Sequence, residues 1–173
     1  MEARRTQANP IPFSSEFNRR GAAMDRDLIF QAAAKDTLRE LKRNTTHTKT
    51  FNIDCPGSNG RTALHLFCDM GNCEAVKNLI EAGANMNLYT ADGFTPLHLA
   101  CESGNEDIVA LLLEKNATVT LLSRDTKETA YDIAKRNNYP NIMRKIEVTI
   151  EEEKMMEELI GGTINFSLYE NKA

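Results

Sequence analysis

The sequence predicts an all-α solenoid of about four stacked helix-turn-helix repeats. Two observations carry that prediction. The stretch GFTPLHLACESGNEDIVALLLEKNA, Gly93 to Ala117, largely rewrites GRTALHLFCDMGNCEAVKNLIEAGA, Gly60 to Ala84. Thr62 and Thr95, His65 and His98, Gly71 and Gly104, and Leu79 and Leu112 are each 33 residues apart. A fixed period of this length marks units that stack because none can bury its apolar face alone. The second observation is compositional: the 173 residues include no Trp and only 6% aromatics. The core must therefore come from Leu, Ile, Val, Ala and Met, which suits small, closely packed helices better than a β-sandwich.

Residues 1–24 hold Pro10, Pro12, Gly21 and four arginines (Arg4, Arg5, Arg19, Arg20) without periodicity, and read as a disordered basic segment. From Asp25 the pattern turns helical. DRDLIFQAAAKDTLRELKRN places Leu28, Ala32, Leu38 and Leu41 at helical spacing with a break near Lys35-Asp36-Thr37, a short helix, a turn and a second helix. This first unit lacks the Thr-x-Leu-His run, as a terminal unit with one face to water can. The loop that follows is longer than its counterpart: Asn52 to Gly60 spans eight positions, and Asn87 to Gly93 spans six.

The middle units are the clearest. Thr95-Pro96 starts a helix, Thr as N-cap and Pro at the first position, where its missing N–H costs nothing. Gly104-Asn105 supplies a left-handed turn, and Ile108, Val109, Leu111, Leu112 and Leu113 form the apolar stripe of a buried second helix. After that helix, Gly83 in one unit and Asn116 in the other tolerate positive φ. A fourth unit, KETAYDIAKRNNYPNIMRKI, sets Thr129 to Ala134 in the place of the Thr-x-Leu-His run, one residue out of phase, with Asn138 at its turn.

These residues resemble an ankyrin repeat: G-x-T-P-L-H-x-A, a glycine turn, then a V-x-x-L-L helix. The resemblance covers residues 25–150 in about four repeats, the outer two degenerate caps. The Gly60 copy departs at Ala63, where Pro is usual, and at Phe67, where Ala is usual. Asp132 in place of His is similar to the final repeats of ankyrin proteins. The resemblance implies structural roles for Thr62, Thr95, Pro96, Gly71 and Gly104. It also implies that His65 and His98 hydrogen-bond neighbouring backbone and tie adjacent repeats together.

The same resemblance implies that β-turn tips and first helices face a concave, partner-binding groove. Mapped here, those positions are Ser58, Asn59, Arg61, Asp69 and Met70 in one unit. The next contributes Tyr89, Ala91, Asp92, Phe94, Glu102 and Ser103, and the last Asp125, Thr126, Glu128, Arg136 and Asn137. Phe94 and Tyr89 are the aromatics among them, and with Met70 they are the side chains of which binding hot spots are made. Phe94 either anchors a partner or packs on its own loop.

The remaining segment, 151–173, is an acidic helical and flexible tail. IEVTIEEEKMMEELI carries six Glu and one Lys between Glu147 and Glu158, with Ile146, Ile150, Met156 and Ile160 along one helical face. It reads as an extension of the last helix that folds back as a cap, as a face for a partner, or as a solvated acidic helix. Beyond Gly161-Gly162, TINFSLYE alternates Ile164, Phe166 and Leu168 with polar residues, a strand to add to another sheet or a disordered end.

The formal net charge of −4 argues against general nucleic-acid binding, and no apolar run approaches the ~20 residues of a membrane span. Cys68 and Cys101 are one period apart and read as buried small hydrophobes, while Cys68-x4-Cys73 has no partner pair for zinc. No cofactor, metal or small-molecule substrate is expected, because no phosphate loop, metalloprotease helix or nucleophile elbow occurs. The first twenty residues contain no apolar leader core, so cytoplasmic and nuclear locations are expected. The resemblance to small stand-alone ankyrin proteins implies a non-catalytic binding module: a small regulatory or scaffold subunit of a Ser/Thr protein kinase complex in cell-cycle control. An ankyrin-type inhibitor of a kinase or transcription factor is the alternative. An enzyme, resting on His65 and His98, is the remote one.

Overall fold

A computed structural model describes residues 29–33, 52–57 and 59–160 of the 173. Expectations for the basic N-terminal segment, for Leu28 and for the turn and second helix of the first unit with Leu38 and Leu41, for Ser58 and for the TINFSLYE stretch lie outside these residues. A helical stretch at 29–33 is followed by α1 (Ala63–Met70), α2 (Cys73–Glu81), α3 (Pro96–Glu102), α4 (Glu106–Glu114), α5 (Ala130–Arg136) and α6 (Pro140–Ile160). The helices pair as α1–α2, α3–α4 and α5–α6 and stack in two layers, α1–α3–α5 and α2–α4–α6. No strand occurs among the described residues.

Each first helix begins with the same device. Thr62, Thr95 and Thr129 sit in extended conformation as N-caps, and the residue three places on returns a side chain to the cap's own N–H. His65 Nδ1 accepts from the Thr62 N–H at 3.2 Å and His98 Nδ1 from the Thr95 N–H at 3.1 Å. In the fourth unit Asp132 Oδ2 accepts from the Thr129 N–H at 3.0 Å and from its hydroxyl at 2.9 Å. A carboxylate thus replaces imidazole with the capping function kept, which accounts for the Asp at this position.

The turns follow from backbone freedom. Gly71 and Gly104 adopt φ of +75° and +71° where the first helix gives way to the second, and Asn138 takes that role at +59°. Gly83 and Asn116 also have positive φ, as expected from their sequence positions. Lys127 also has a positive φ, +56°. It precedes Glu128 as Gly60 and Gly93 precede Arg61 and Phe94, so a lysine occupies a left-handed tip position otherwise held by glycine.

The core is continuous through the stack. Leu64, Phe67, Leu79, Leu97, Ile108, Leu112, Ile133, Ile142 and Ile146 are all buried. Each such side chain contributes about 1.5–3 kcal/mol by leaving water. Small residues at equivalent places, Cys68 with Ala100 and Cys101, and Ala134, are also buried and let the first helices approach closely. Burial pushes the Cys101 thiol up to about 12 and the Cys68 thiol higher still, so both stay protonated. The four cysteines are free thiols. Phe67, the departure from the usual Ala, is accommodated by the preceding unit, where Phe30 stacks on it with ring centroids 4.4 Å apart.

Neighbouring units are also laced by polar bonds. Asn105 Nδ2 donates to the Cys68 carbonyl at 2.9 Å, Asn78 Nδ2 to the Ala33 carbonyl at 3.3 Å, and Asn87 and Thr118 exchange two bonds. The last helix differs from its counterparts: α6 has 21 residues, whereas α2 and α4 have nine each. It runs without a break through residue 150 and does not fold back. Ile142 and Ile146 are buried and Ile150 packs on the core edge, but Val148, Met155 and Met156 are exposed. The expected single apolar face therefore splits: its first half is core and its second half projects past the stack.

Candidate functional site

The tips form a hydrogen-bonded ribbon along one edge of the array. The Ala91 N–H donates to the Asn59 carbonyl at 2.9 Å, and the Arg124 N–H to the Gly93 carbonyl at 3.1 Å. Within each tip the chain closes on itself: Gly57 N–H to Arg61 O, Thr90 N–H to Phe94 O and Ser123 N–H to Glu128 O span 2.8 to 2.9 Å. Backbone bonding fixes where each tip side chain emerges, so the face beside the tips is rigidly presented.

On that face the structure brings the expected residues together in a ladder. Arg61 Nη1 meets Asp69 Oδ2 at 2.9 Å, joining the tip of the Gly60 unit to the end of its first helix. Arg136 Nη1 meets Glu128 Oε2 at 2.8 Å in the last unit, the same positions with charges exchanged. Phe94 and Glu102 hold these places in the middle unit. Phe94 cannot pair with Glu102, and Glu102 turns to Arg136 of the next unit at 3.9 Å. Ser103 Oγ donates to Asp69 Oδ1 at 3.0 Å across the other junction. Asp69, Glu102 and Ser103 are exposed, so these pairs orient one another more than they stabilise the fold.

The apolar members of the face behave differently from one another. Met70 is 66% exposed, the most exposed large apolar side chain among the described residues. Phe94 is half-buried, packs against the core and meets His98 edge-on with centroids 6.2 Å apart. Tyr89 is also half-buried, with the Arg124 guanidinium 4.6 Å above its ring. Asp92 is exposed at its tip. Phe94 therefore packs on its own unit, while Met70 is the freer side chain.

The two histidines belong to the scaffold. Both are fully buried and lie against their cap threonines, His65 Nδ1 2.9 Å and His98 Nδ1 2.8 Å from the hydroxyl. His65 Nε2 reaches the Leu88 carbonyl at 3.0 Å and so ties its unit to the next junction. His98 Nε2 faces the equivalent carbonyl, that of Leu121, whose hydrogen bonding opposes the lowering of its pKa, but the contact is looser than a well-formed hydrogen bond. Desolvation by burial lowers both pKa values from 6.5, so each ring is neutral at pH 7. The unfolded chain then binds protons that the folded chain refuses, and stability present above about pH 6.5 is lost as pH falls below it. Urea titrations should show a His65→Gln, His98→Gln double variant with a flatter stability decline between about pH 7 and pH 5 than the native chain. An equal slope would mean that these rings do not resist protonation.

Among the described residues no group of His, Cys, Asp and Glu is arranged to hold a metal, and no helix is long and apolar enough to cross a membrane. A family model described as ankyrin repeats in three copies matches residues 29–125 and again 71–146, more than half of the chain. No curated protein matches it.

Proposed function

The chain belongs to the ankyrin repeat family, a non-catalytic fold that mediates binding to other proteins, and from that premise we propose that it is a small regulatory subunit whose partner seats on the tip and first-helix face. The observation that carries this is the ladder Arg61–Asp69–Ser103 and Glu128–Arg136–Glu102, which crosses both unit junctions beside exposed Met70. These side chains do little for stacking, yet Arg61 and Glu128 emerge from backbone-bonded tips and the others from the ends of first helices. Alternating charge around apolar anchors favours selectivity and orientation of a folded partner over raw affinity. Tyr89, Asp92 and Phe94 complete the surface at the middle tip.

The partner class we assign is a Ser/Thr protein kinase complex in cell-cycle control, which the chain activates or scaffolds. The support is the format: a short array that offers one continuous surface acts on a partner's activity by occupying it. Purifying the chain with its bound proteins, then assaying the kinase with and without added chain, tests the assignment. Association with a Ser/Thr kinase whose activity rises on addition is the expected result. Inhibition, or association with a transcription factor alone, would overturn it.

A further inference from the structure

A groove that the tip face does not account for lies on the second-helix layer, between α4 and α6, with a volume of about 930 Å³. Leu113, Val148 and Met156 form its apolar floor, with Val148 47% and Met156 58% exposed. α4 and α6 are second helices of successive units and run in the same direction. At the start of α4, Glu106 Oε1 accepts from Asn141 Nδ2 at 2.8 Å and the Glu106 carbonyl from Lys145 Nζ at 3.3 Å. Eight residues on from Glu106 and Lys145, Glu114 comes level with Glu152 and Glu153. The two ends therefore differ in charge. At one end Arg144 and Lys145 are offset in part by Glu106. At the other end three glutamates line the groove: Glu114 has Lys115 at 3.4 Å, and exposed Glu152 has no ion pair among the described residues. An exposed methionine and valine beside carboxylates suit an apolar helix face and select for a basic one.

We propose that this groove is a second docking site and that its occupant is a basic amphipathic helix of another protein. The helix lays its apolar stripe on Leu113, Val148 and Met156 and sets lysine or arginine side chains against Glu114, Glu152 and Glu153. A helix suits a groove walled by two helices, because it satisfies its own backbone hydrogen bonds and asks none of the walls. From Asn141 to Met156 the groove runs roughly 22 Å at 1.5 Å per residue, so about fifteen helical residues fill it. The last helix of a second copy is the wrong occupant, since α6 carries six glutamates against three basic residues and would add acid to acid. The tip face lies on the first-helix layer, so this site stands or falls without it.

Fluorescence anisotropy with the full chain tests this, using a labelled synthetic peptide of about fifteen residues with leucines along one helical face and lysines along the other. The peptide should bind, and more weakly as salt is raised. Met156 and Glu152 are exposed, so changing them spares the core. Met156→Lys should weaken binding by about tenfold and Glu152→Lys by about fivefold at low salt, with the melting temperature unchanged. Glu74→Lys, the same change of net charge on α2 and outside the groove, should alter it by less than about twofold. No binding, equal binding of a peptide with glutamates in place of the lysines, or indifference to both groove variants would overturn the proposal. Sedimentation showing that Met156→Lys dissolves a dimer of this chain would also overturn it, by giving the groove to a second copy. So would far tighter peptide binding by a chain ending at residue 162, which would give the groove to the chain's own tail.

Discussion

Leu112→Ala is expected to unfold the array at physiological temperature. Leu112 is fully buried on α4, the helix packed between α2 and α6, and its loss opens a cavity that neither neighbour can close. Truncating a buried leucine costs about 2–5 kcal/mol. A domain of this size has a total stability of about 5–15 kcal/mol, so the change removes a large fraction of it. Units here have no independent core: Ile108 and Leu112 from one pair meet Leu79 from the previous pair and Ile142 from the next in a single cluster. Loss of the middle should therefore take the outer units with it. Urea unfolding followed by circular dichroism should show one transition, shifted to much lower urea. Outer units that stay folded after the middle melts would contradict the cooperative stack.

Gly93→Ala should be nearly as damaging, although it adds a single methyl group. Gly93 has φ +77°, and a Cβ there would lie 2.4 Å from Arg124 Cβ and 2.7 Å from the Arg124 backbone nitrogen. Arg124 cannot retreat without breaking its N–H bond to the Gly93 carbonyl, which joins the two tips. Gly83 is the internal control: its φ is +92°, yet its missing Cβ would meet nothing within 4 Å. Gly83→Ala should cost only the backbone strain of about 1 kcal/mol, while Gly93→Ala adds steric conflict and should exceed about 3 kcal/mol. Thermal melts of the two variants side by side check this. Equal losses would mean that the close approach of the tips is not a constraint.

Much of this molecule is legible in its sequence because the repeat writes its reasons twice. Thr62, His65 and Gly71 return as Thr95, His98 and Gly104, and each has a local cause, a cap or a left-handed turn, that needs no knowledge of distant contacts. Asp132 was legible only through its resemblance to final ankyrin repeats, and its capping bonds appear with the structure. What was not readable depends on three-dimensional neighbours. The Arg61–Asp69 pair joins residues eight apart that only a folded tip brings to a helix end, so neither helical nor strand periodicity announces it. Lys127 at positive φ breaks the glycine rule and is held there by the ring of bonds through Ser123 and Glu128. The half-burial of Phe94 and the loose contact of His98 Nε2 with the Leu121 carbonyl are set by how closely the next unit's loop approaches. The course of α6 past residue 150 was written in its periodicity, but where core contact ends was not, because that depends on where α4 stops.

The central functional claim is that a partner seats on the tip and first-helix face, and affinity for that partner across a short variant series tests it most directly. Truncating a central anchor typically costs ~2–4 kcal/mol of binding, whereas an exposed rim charge costs far less. Met70→Ala, Tyr89→Ala and Phe94→Ala should each weaken binding by at least about tenfold with helix content intact. Glu151→Ala and a chain ending at residue 162 should bind as the native chain does. If the truncated chain loses the partner while the three tip-face variants keep it, the interface lies along the last helix and its tail, and the assignment to the tip face is wrong.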